Sequence, residues 1–400
     1  MLNNDTVADP GKGALSFDNT EIAFRNSSNA DLNRAYWLFR MININFFVNM
    51  GPPLTNFFMK IGLPIKSIIK ATIFKHFCGG ETIEECDGTI KKLAGGRVGT
   101  ILDYSVEGED DEQVFDDTRD EIIKTIKRAT GDKAVPITVF KPTGVIRFGL
   151  LEKLDAGTAL SADEEAEWDR AWARVLSTCS EAYKTGVPVM IDAEETWIQK
   201  TIDMLALDMM RQFNKEKAIV YNTYQLYRHD KLASLKDDHA VAVKEGFILG
   251  AKLVRGAYME KERRRAAELG YECLIQPDKE STDRDYNLAL RFCMDNLPKI
   301  AFVAGTHNED SCRLLADLLN EKNVPHNHRH VYFSQLLGMS DNLSFNLADA
   351  GYNVAKYVPY GPVKAVLPYL FRRAQENTAI AGQMSRELGL IIKERKRRKA

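Results

Sequence analysis

VPVMID at residues 187–192 is a short apolar, β-branched run. An amphipathic stretch over 200–213 follows it, then AIVYNTY at 218–224, a second amphipathic stretch over 233–245, and ILGAKLVR at 248–255. Short apolar runs separated by longer amphipathic ones are the pattern of parallel strands joined by crossover helices. The same unit recurs in both directions. Upstream lie Val98–Ser105 (VGTILDYS) and Ala134–Phe140 (AVPITVF); downstream lie Ile300–Gly305, Val331–Leu336 and Val354–Pro359. Helical periodicity falls over Glu112–Ala129, Ala162–Lys184, Lys200–Phe213, Ala233–Glu245, Arg284–Asn296, Glu309–Glu321, Ser344–Ala350 and Val363–Leu388. Eight strands alternating with eight helices predict an α/β protein, a (β/α)8 barrel over residues 96–390. An open doubly wound sheet is the alternative. Such sheets usually carry a Gly-rich phosphate turn after the first strand, and neither GxGxxG nor GxxxxGK[ST] occurs here.

The flanks read differently. Residues 1–30 are polar and lack apolar periodicity, so they are expected to form a loose N-terminal arm. Residues 31–95 have helical spacing broken at Gly51-Pro52-Pro53, Gly62-Leu63-Pro64 and Gly79-Gly80, which predicts short helices packed on the barrel. Residues 391–400 form a basic tail, expected to be solvated.

Among 400 residues, 54 basic and 56 acidic side chains leave a net charge of −2, which argues against a nucleic-acid partner. The six cysteines show no CxxC or metal spacing, so a reducing compartment is expected. The acidic N-terminal residues resemble neither a secretory signal nor a mitochondrial presequence, which leaves the cytoplasm as the expected location. No uninterrupted apolar run is long enough to span a bilayer. The Phe/Ile/Met-rich stretch 36–77 comes nearest and is a candidate for peripheral contact with the inner face of a membrane, although helices packed on the barrel explain it equally well.

In a (β/α)8 barrel the chemistry sits at the carboxyl ends of the strands. Those ends carry Lys141, Asp192, Glu194, Gln225, Arg255, Tyr258, Thr306, His307, Asn308, Ser334, Gln335, Tyr357 and Tyr360. Asp192 and Glu194 are not expected to share one pocket. In the last helix Tyr369, Arg372, Arg373 and Glu376 fall three and four residues apart, on one helical face. Two guanidiniums with Lys141 suit a small carboxylate, because each arginine offers a fork matched to two oxygens. No GxSxG, HExxH or Cys/His signature supplies bond-breaking machinery, so a redox cofactor is the natural complement.

The runs IDAEETW, KLVRGAYMEKER, GTHNEDS, FSQLLGMSDNLSFNLADAGYNVAKYVPYG and PYLFRRAQENT resemble those of the proline dehydrogenase family, across roughly residues 75–380. That family has a distorted (β/α)8 barrel, uses FAD and performs the first step of proline catabolism. The resemblance implies that Arg372 and Arg373, assisted by Lys141, hold the carboxylate of L-proline. It places Leu253, Tyr258 and Tyr369 around the ring with Asp192 nearby, and Tyr357 as the side chain that favours proline over hydroxyproline. It assigns the flavin to Gln225, Lys252, Val254, Arg255, Gly256, Thr306, His307, Asn308, Gln335 and Glu376. Lys252 stands where bifunctional bacterial relatives have arginine. The implied reaction is hydride transfer from proline to flavin N5, giving Δ1-pyrroline-5-carboxylate, with electrons passed to a quinone. A barrel of about 300 residues leaves no room for a tandem aldehyde dehydrogenase domain, so a separate pyrroline-5-carboxylate dehydrogenase is expected downstream.

Two other readings remain at this stage: a barrel lyase using Lys141 or Lys252 as a Schiff-base amine, and a noncatalytic carboxylate-binding protein. His326, His328 and His330 alternate as metal ligands sometimes do, but without acidic or thiol companions they are not read as a metal site. The acidic run at 162–169 is read as helix capping.

Overall fold

The computed structural model describes residues 15–42, 67, 69–106, 110–379 and 381–399, without the side chains of 42, 374–379 and 381–385. Eight parallel strands close into a barrel in sequential order: β1 Gly99–Tyr104, β2 Ile137–Phe140, β3 Val189–Ile191, β4 Val220–Gln225, β5 Leu249–Val254, β6 Ile300–Gly305, β7 Val331–Leu336 and β8 Val354–Tyr360. Closure runs along the whole of β1, from Gly99 opposite Ala355 to Tyr104 opposite Tyr360.

Along each strand alternate side chains face opposite ways. Ile101, Ile137, Val139, Met190, Tyr221, Ala301, Val303 and Ala355 fill the barrel axis. Their neighbours, among them Leu102, Phe140, Val220, Leu249, Phe302 and Phe333, face the helices. The axis is thus packed with side chains below a polar mouth.

Helices α1 Thr20–Ala23, α2 Asn29–Ile42 and α3 Ile83–Ala94 precede the barrel. α4 Glu112–Ala129, α5 Phe148–Asp155, α6 Ala162–Thr185, α7 Thr196–Phe213, α8 Lys231–Glu245, α9 Met259–Leu269, α10 Lys279–Asp295, α11 Glu309–Glu321 and α12 Asp341–Asp349 lie between strands. α13 Val363–Ala379 and α14 Ala381–Arg397 follow β8. The acidic run after Ser161 opens α6 with a capping box: the Ser161 hydroxyl accepts the Glu164 N–H while the Glu164 carboxylate accepts that of Ser161. Asp111 and Asn308 cap α4 and α11 with their side-chain oxygens alone, accepting backbone N–H groups of the first turn.

The structure differs from the sequence reading at both ends. α5 and α9 are additional helices, and the single helix expected over 363–388 is two. The expected loose arm is packed from Phe17, which is 1% exposed, through Ala23 and Phe24. The expected basic tail is the last turns of α14. Ile391 is buried, and Glu394, fully buried, holds Arg397 and Arg398. Arg398 also donates to the carbonyls of Phe24 and Ser27 at 2.7 and 2.8 Å. The physical reason is the same at both ends. Each segment is too polar to show a stripe, and is buried by pairing with a segment more than 300 residues away. Together α1, α2, residues 69–78, α13 and α14 make a second apolar cluster against Met339. Most of the stretch 36–77 considered for membrane contact, residues 43–66 and 68, lies outside the described residues. No helix among the described residues is long and apolar enough to cross a membrane.

Candidate active site

Three side chains from three strands meet at the mouth. Lys252 of β5 places Nζ 2.5 Å from Asp192 Oδ1, just past β3, and 2.7 Å from the Tyr357 hydroxyl of β8. Tyr357 in turn donates to Asp192 Oδ1 at 2.9 Å, and the lysine sits over its ring at 4.7 Å. Burial, with the negative fields of Asp192 and Asp103, holds the Tyr357 phenol well above its ordinary range, so it remains a hydrogen-bond donor. A buried cation with two oxygen partners is compensated; one with its partner removed is not.

Lys141, after β2, lies 3.2 Å from Asp103 Oδ2 and 3.3 Å from Oδ1. Asp103 of β1 is 2% exposed. Asp103 is not among the strand-end residues expected from sequence, although LDYS at the end of β1 carries the same polar signal as the other strands. Asp192 and Glu194 have separate partners. β3 stops at Ile191, and the Glu194 carboxylate accepts the Thr143 N–H and hydroxyl at 2.9 and 2.5 Å.

α13 follows β8 and brings its arginines toward residues that follow β5 and β6. The Arg372 guanidinium stands 5.9 Å from the centroid of Tyr258, which follows β5, and Arg373 stands 5.3 Å from Tyr369 of its own helix. Tyr369 and Arg373 are buried. The side chain of Glu376 lies outside the described residues.

On the β4–β7 side the remaining expected residues gather on one rim. Gln225 donates through Nε2 to the Glu194 carbonyl at 3.0 Å, which leaves its buried Oε1 as an acceptor with no partner among the described residues. Gln335 donates to the Thr306 carbonyl at 3.1 Å and accepts from Ser344 at 2.8 Å. Arg255 engages all three nitrogens within the protein: Nε with Asp283 at 2.7 Å, Nη1 with Thr306 at 2.6 Å and Nη2 with Ser311 at 3.0 Å. It therefore braces Thr306 and the start of α11, where Asn308 accepts the Ser311 N–H, rather than offering a bare fork. Val254 lies against Gly305 of the next strand. Gly256, at φ +142°, admits the Tyr227 ring, whose atoms would stand 2.4–2.5 Å from a Cβ, so packing alone requires glycine there. His307 is kept neutral, at about 3, by burial and by the fields of Lys356, Arg373 and Arg255.

Two expected side chains are elsewhere. Leu253 alternates with Lys252, and it packs in the cluster between strands and helices instead of walling the mouth. Tyr360 faces outward, hydrogen-bonded to Thr125 at 2.7 Å. His326, at the opposite end, stacks on Tyr352 and contacts the Ala350 carbonyl and Asn320.

A family profile described as Proline dehydrogenase matches residues 86–386. The chain belongs to the proline dehydrogenase family. Proline dehydrogenase 1, mitochondrial, of Dictyostelium discoideum is 32% identical over 96% of this chain and 75% of its own length. The human protein of the same name is 45% identical over 59% of this chain, which spans 40% of it. The carbapenem antibiotics biosynthesis protein CarD of Pectobacterium carotovorum is 36% identical over 80% of this chain and 83% of its own. Proline utilization A from Bdellovibrio bacteriovorus superposes with a TM-score of 0.71 at 19% identity, over 92% of this chain and 40% of that one, a likeness of fold. The family's barrel is the fold described above, and its profile covers every strand.

Proposed function

We propose that this chain oxidises L-proline to Δ1-pyrroline-5-carboxylate at the barrel mouth, using FAD as the hydride acceptor and a quinone as the next electron acceptor. The observation that carries this reading is the set of cations past the strand ends: Lys141 held by Asp103, Lys252 held by Asp192 and Tyr357, Arg372 beside the Tyr258 ring, and Arg373 close enough to His307 to bear on its charge. Family membership supports proline as the substrate.

The residues present fit a flavin. Gln225 Oε1 is a buried acceptor in want of an N–H donor, and the ring system of a flavin carries one. Gln225, Lys252, Val254, Gly256, Thr306, His307, Asn308, Gln335 and Glu376 would hold it, with Arg255 bracing Thr306. When bound, the flavin supplies a two-electron acceptor that no side chain here provides.

The chain's own residues do the rest. The two guanidiniums and Lys141 bind the carboxylate and fix the ring's position, Tyr258 and Tyr369 bound the ring, and Asp192 is kept in place by Lys252 and Tyr357. Positioning of this kind supplies several kcal/mol of a barrier. The same cations stabilise negative charge that accumulates as electrons enter the site. Lys141 and Lys252 each sit against a carboxylate, Asp103 and Asp192, which disfavours the Schiff-base reading: that chemistry needs an amine open to a carbonyl substrate.

Electron exit to a quinone and peripheral membrane contact go together. Trp37 and Met41 on α2 are 59% and 45% exposed beside Arg40, which supports interfacial docking. The reaction is tested by incubating the flavin-loaded chain with L-proline and an electron-accepting dye, then trapping the product with o-aminobenzaldehyde. The pyrroline adduct, formed in proportion to reduced dye, is the expected result; dye reduction without adduct, or neither, would overturn it. Flotation with anionic liposomes tests the membrane contact.

A further inference from the structure

Behind the loop that follows β7 lies a cavity to which the proposed chemistry gives no role. It holds about 130 Å3 and is walled by α2, α3, α14 and residues 337, 338 and 341. Its lining is mostly apolar, with Leu32, Ala35 and Phe39 of α2, Leu93 of α3, Leu337 and Ile391. An apolar space of about this size accepts one six-membered ring. Three polar side chains interrupt the lining. Arg34 of α2 is paired with Asp31 through Nη2, and its buried Nε has no partner among the described residues. His76 meets the Gly338 carbonyl through Nε2 at 2.9 Å, and loss of hydration keeps its ring neutral, at about 4. Glu387 accepts the Ser340 N–H at 2.5 Å, and burial pushes its carboxyl up to about 7, so it carries a proton into the neutral range. An unfilled N–H donor beside a ring-sized apolar space suits a flat ligand that bears a carbonyl oxygen.

Position narrows the choice. Leu337 and Gly338 of the wall come two and three residues after Gln335, which is expected on the flavin rim, and Ser340 of the same loop hydrogen-bonds His307 at 2.9 Å. One loop thus separates the cavity from the cofactor side of the barrel. On α2, Arg34, Trp37 and Met41 follow one another at spacings of three and four residues, so the exposed flank considered for membrane contact borders the cavity wall.

We propose that this cavity holds the ring of the quinone acceptor, with a carbonyl oxygen toward Arg34 and any apolar tail leaving along the Trp37 flank of α2. The proposal rests on the quinone step of the functional reading and gives that step its place. The exchange balances: two electrons and two protons leave the reduced flavin and convert the quinone into the quinol. Glu387 lines the cavity as a group able to relay one of those protons.

The test uses duroquinone, a single-ring quinone, and durene, the same ring and methyl groups without the oxygens. Equilibrium dialysis of the full chain, with or without flavin, should show duroquinone bound about tenfold more tightly than durene. Ala35→Leu and Thr89→Phe fill the cavity from two different helices, and each should weaken duroquinone binding about tenfold. Arg34→Met should abolish the preference over durene. In the flavin-loaded chain the two filled variants should raise the KM for duroquinone by the same factor, while proline-dependent reduction of a water-soluble dye keeps its wild-type rate. Unchanged duroquinone binding in Ala35→Leu, or in Thr89→Phe should the first variant not fold, would overturn the proposal. So would a wild type that binds no duroquinone, or one that binds durene equally well. A wild type whose duroquinone binding is lost in the filled variants but which oxidises no proline would overturn the functional reading and leave the site standing.

Discussion

The barrel mouth and the helical layer built from the two chain ends sit side by side around β8, and they are held together by opposite means. At the mouth, polar groups pair inside the protein: Lys252 with Asp192 and Tyr357, Lys141 with Asp103. In the layer, apolar side chains of α1, α2, α13 and α14 pack on one another, and polar contacts such as Arg398 to Phe24 and Ser27 tie the ends of the chain. The mouth is organised for charge and the layer for burial. Damage to the first should therefore read out in turnover and damage to the second in stability.

The largest break is expected at the arginines. Removing both guanidiniums in Arg372→Ala/Arg373→Ala should cost about 2 kcal/mol each in transition-state binding, roughly a thousandfold in kcat/KM for proline, with a melting temperature close to the wild type. Steady-state kinetics beside thermal melts check both halves. Lys252→Met should blur the distinction. It strands Asp192 in the mouth, so denaturant melts should show a loss of about 3 kcal/mol along with the loss of turnover.

Ile391→Ala is the converse. It opens a cavity in the layer, and should cost about 2 kcal/mol of stability while leaving KM for proline unchanged at temperatures where the chain stays folded. Asp103→Asn sharpens the comparison from within the mouth: Lys141 loses its charged partner, and KM should rise about tenfold with kcat much less affected.

How much of this was legible in sequence follows from the same contrast. The strands show because each is a local apolar run, and VYFSQL and IAFVAG coincide with β7 and β6 to the residue. The polar mouth shows because strand ends mark the face where barrels do their chemistry. Asp103 carries the same signal, lying inside LDYS near the end of β1, and Leu253 falls outside the mouth because strand alternation, which resemblance does not record, sends it outward. The layer was not legible. Its contacts join Phe17 to Asn342 and Arg398 to Phe24, across more than 300 residues, and no local period records a contact of that range.

The smallest effect is a matter of pH, at the seam between the two regions. Burial and the neighbouring Asp341 push the Glu387 carboxyl from 4.5 up to about 7. The folded chain thus keeps a proton that the unfolded chain releases. The stability contributed by the protonated carboxyl is complete below about pH 4.5 and is lost as the pH rises through about 7. Relative to Glu387→Gln, the wild type should lose stability between about pH 5 and about pH 8, as measured by denaturant midpoints. Parallel curves would contradict a raised carboxyl at this position.

The central claim is that the mouth oxidises proline with a flavin. The visible spectrum of the flavin-loaded chain, recorded without oxygen before and after L-proline is added, tests it most directly. The account predicts a flavin band that bleaches with proline in the wild type and persists in Arg372→Ala/Arg373→Ala. A chain that takes up no flavin, or a band unchanged by proline in the wild type, would contradict it.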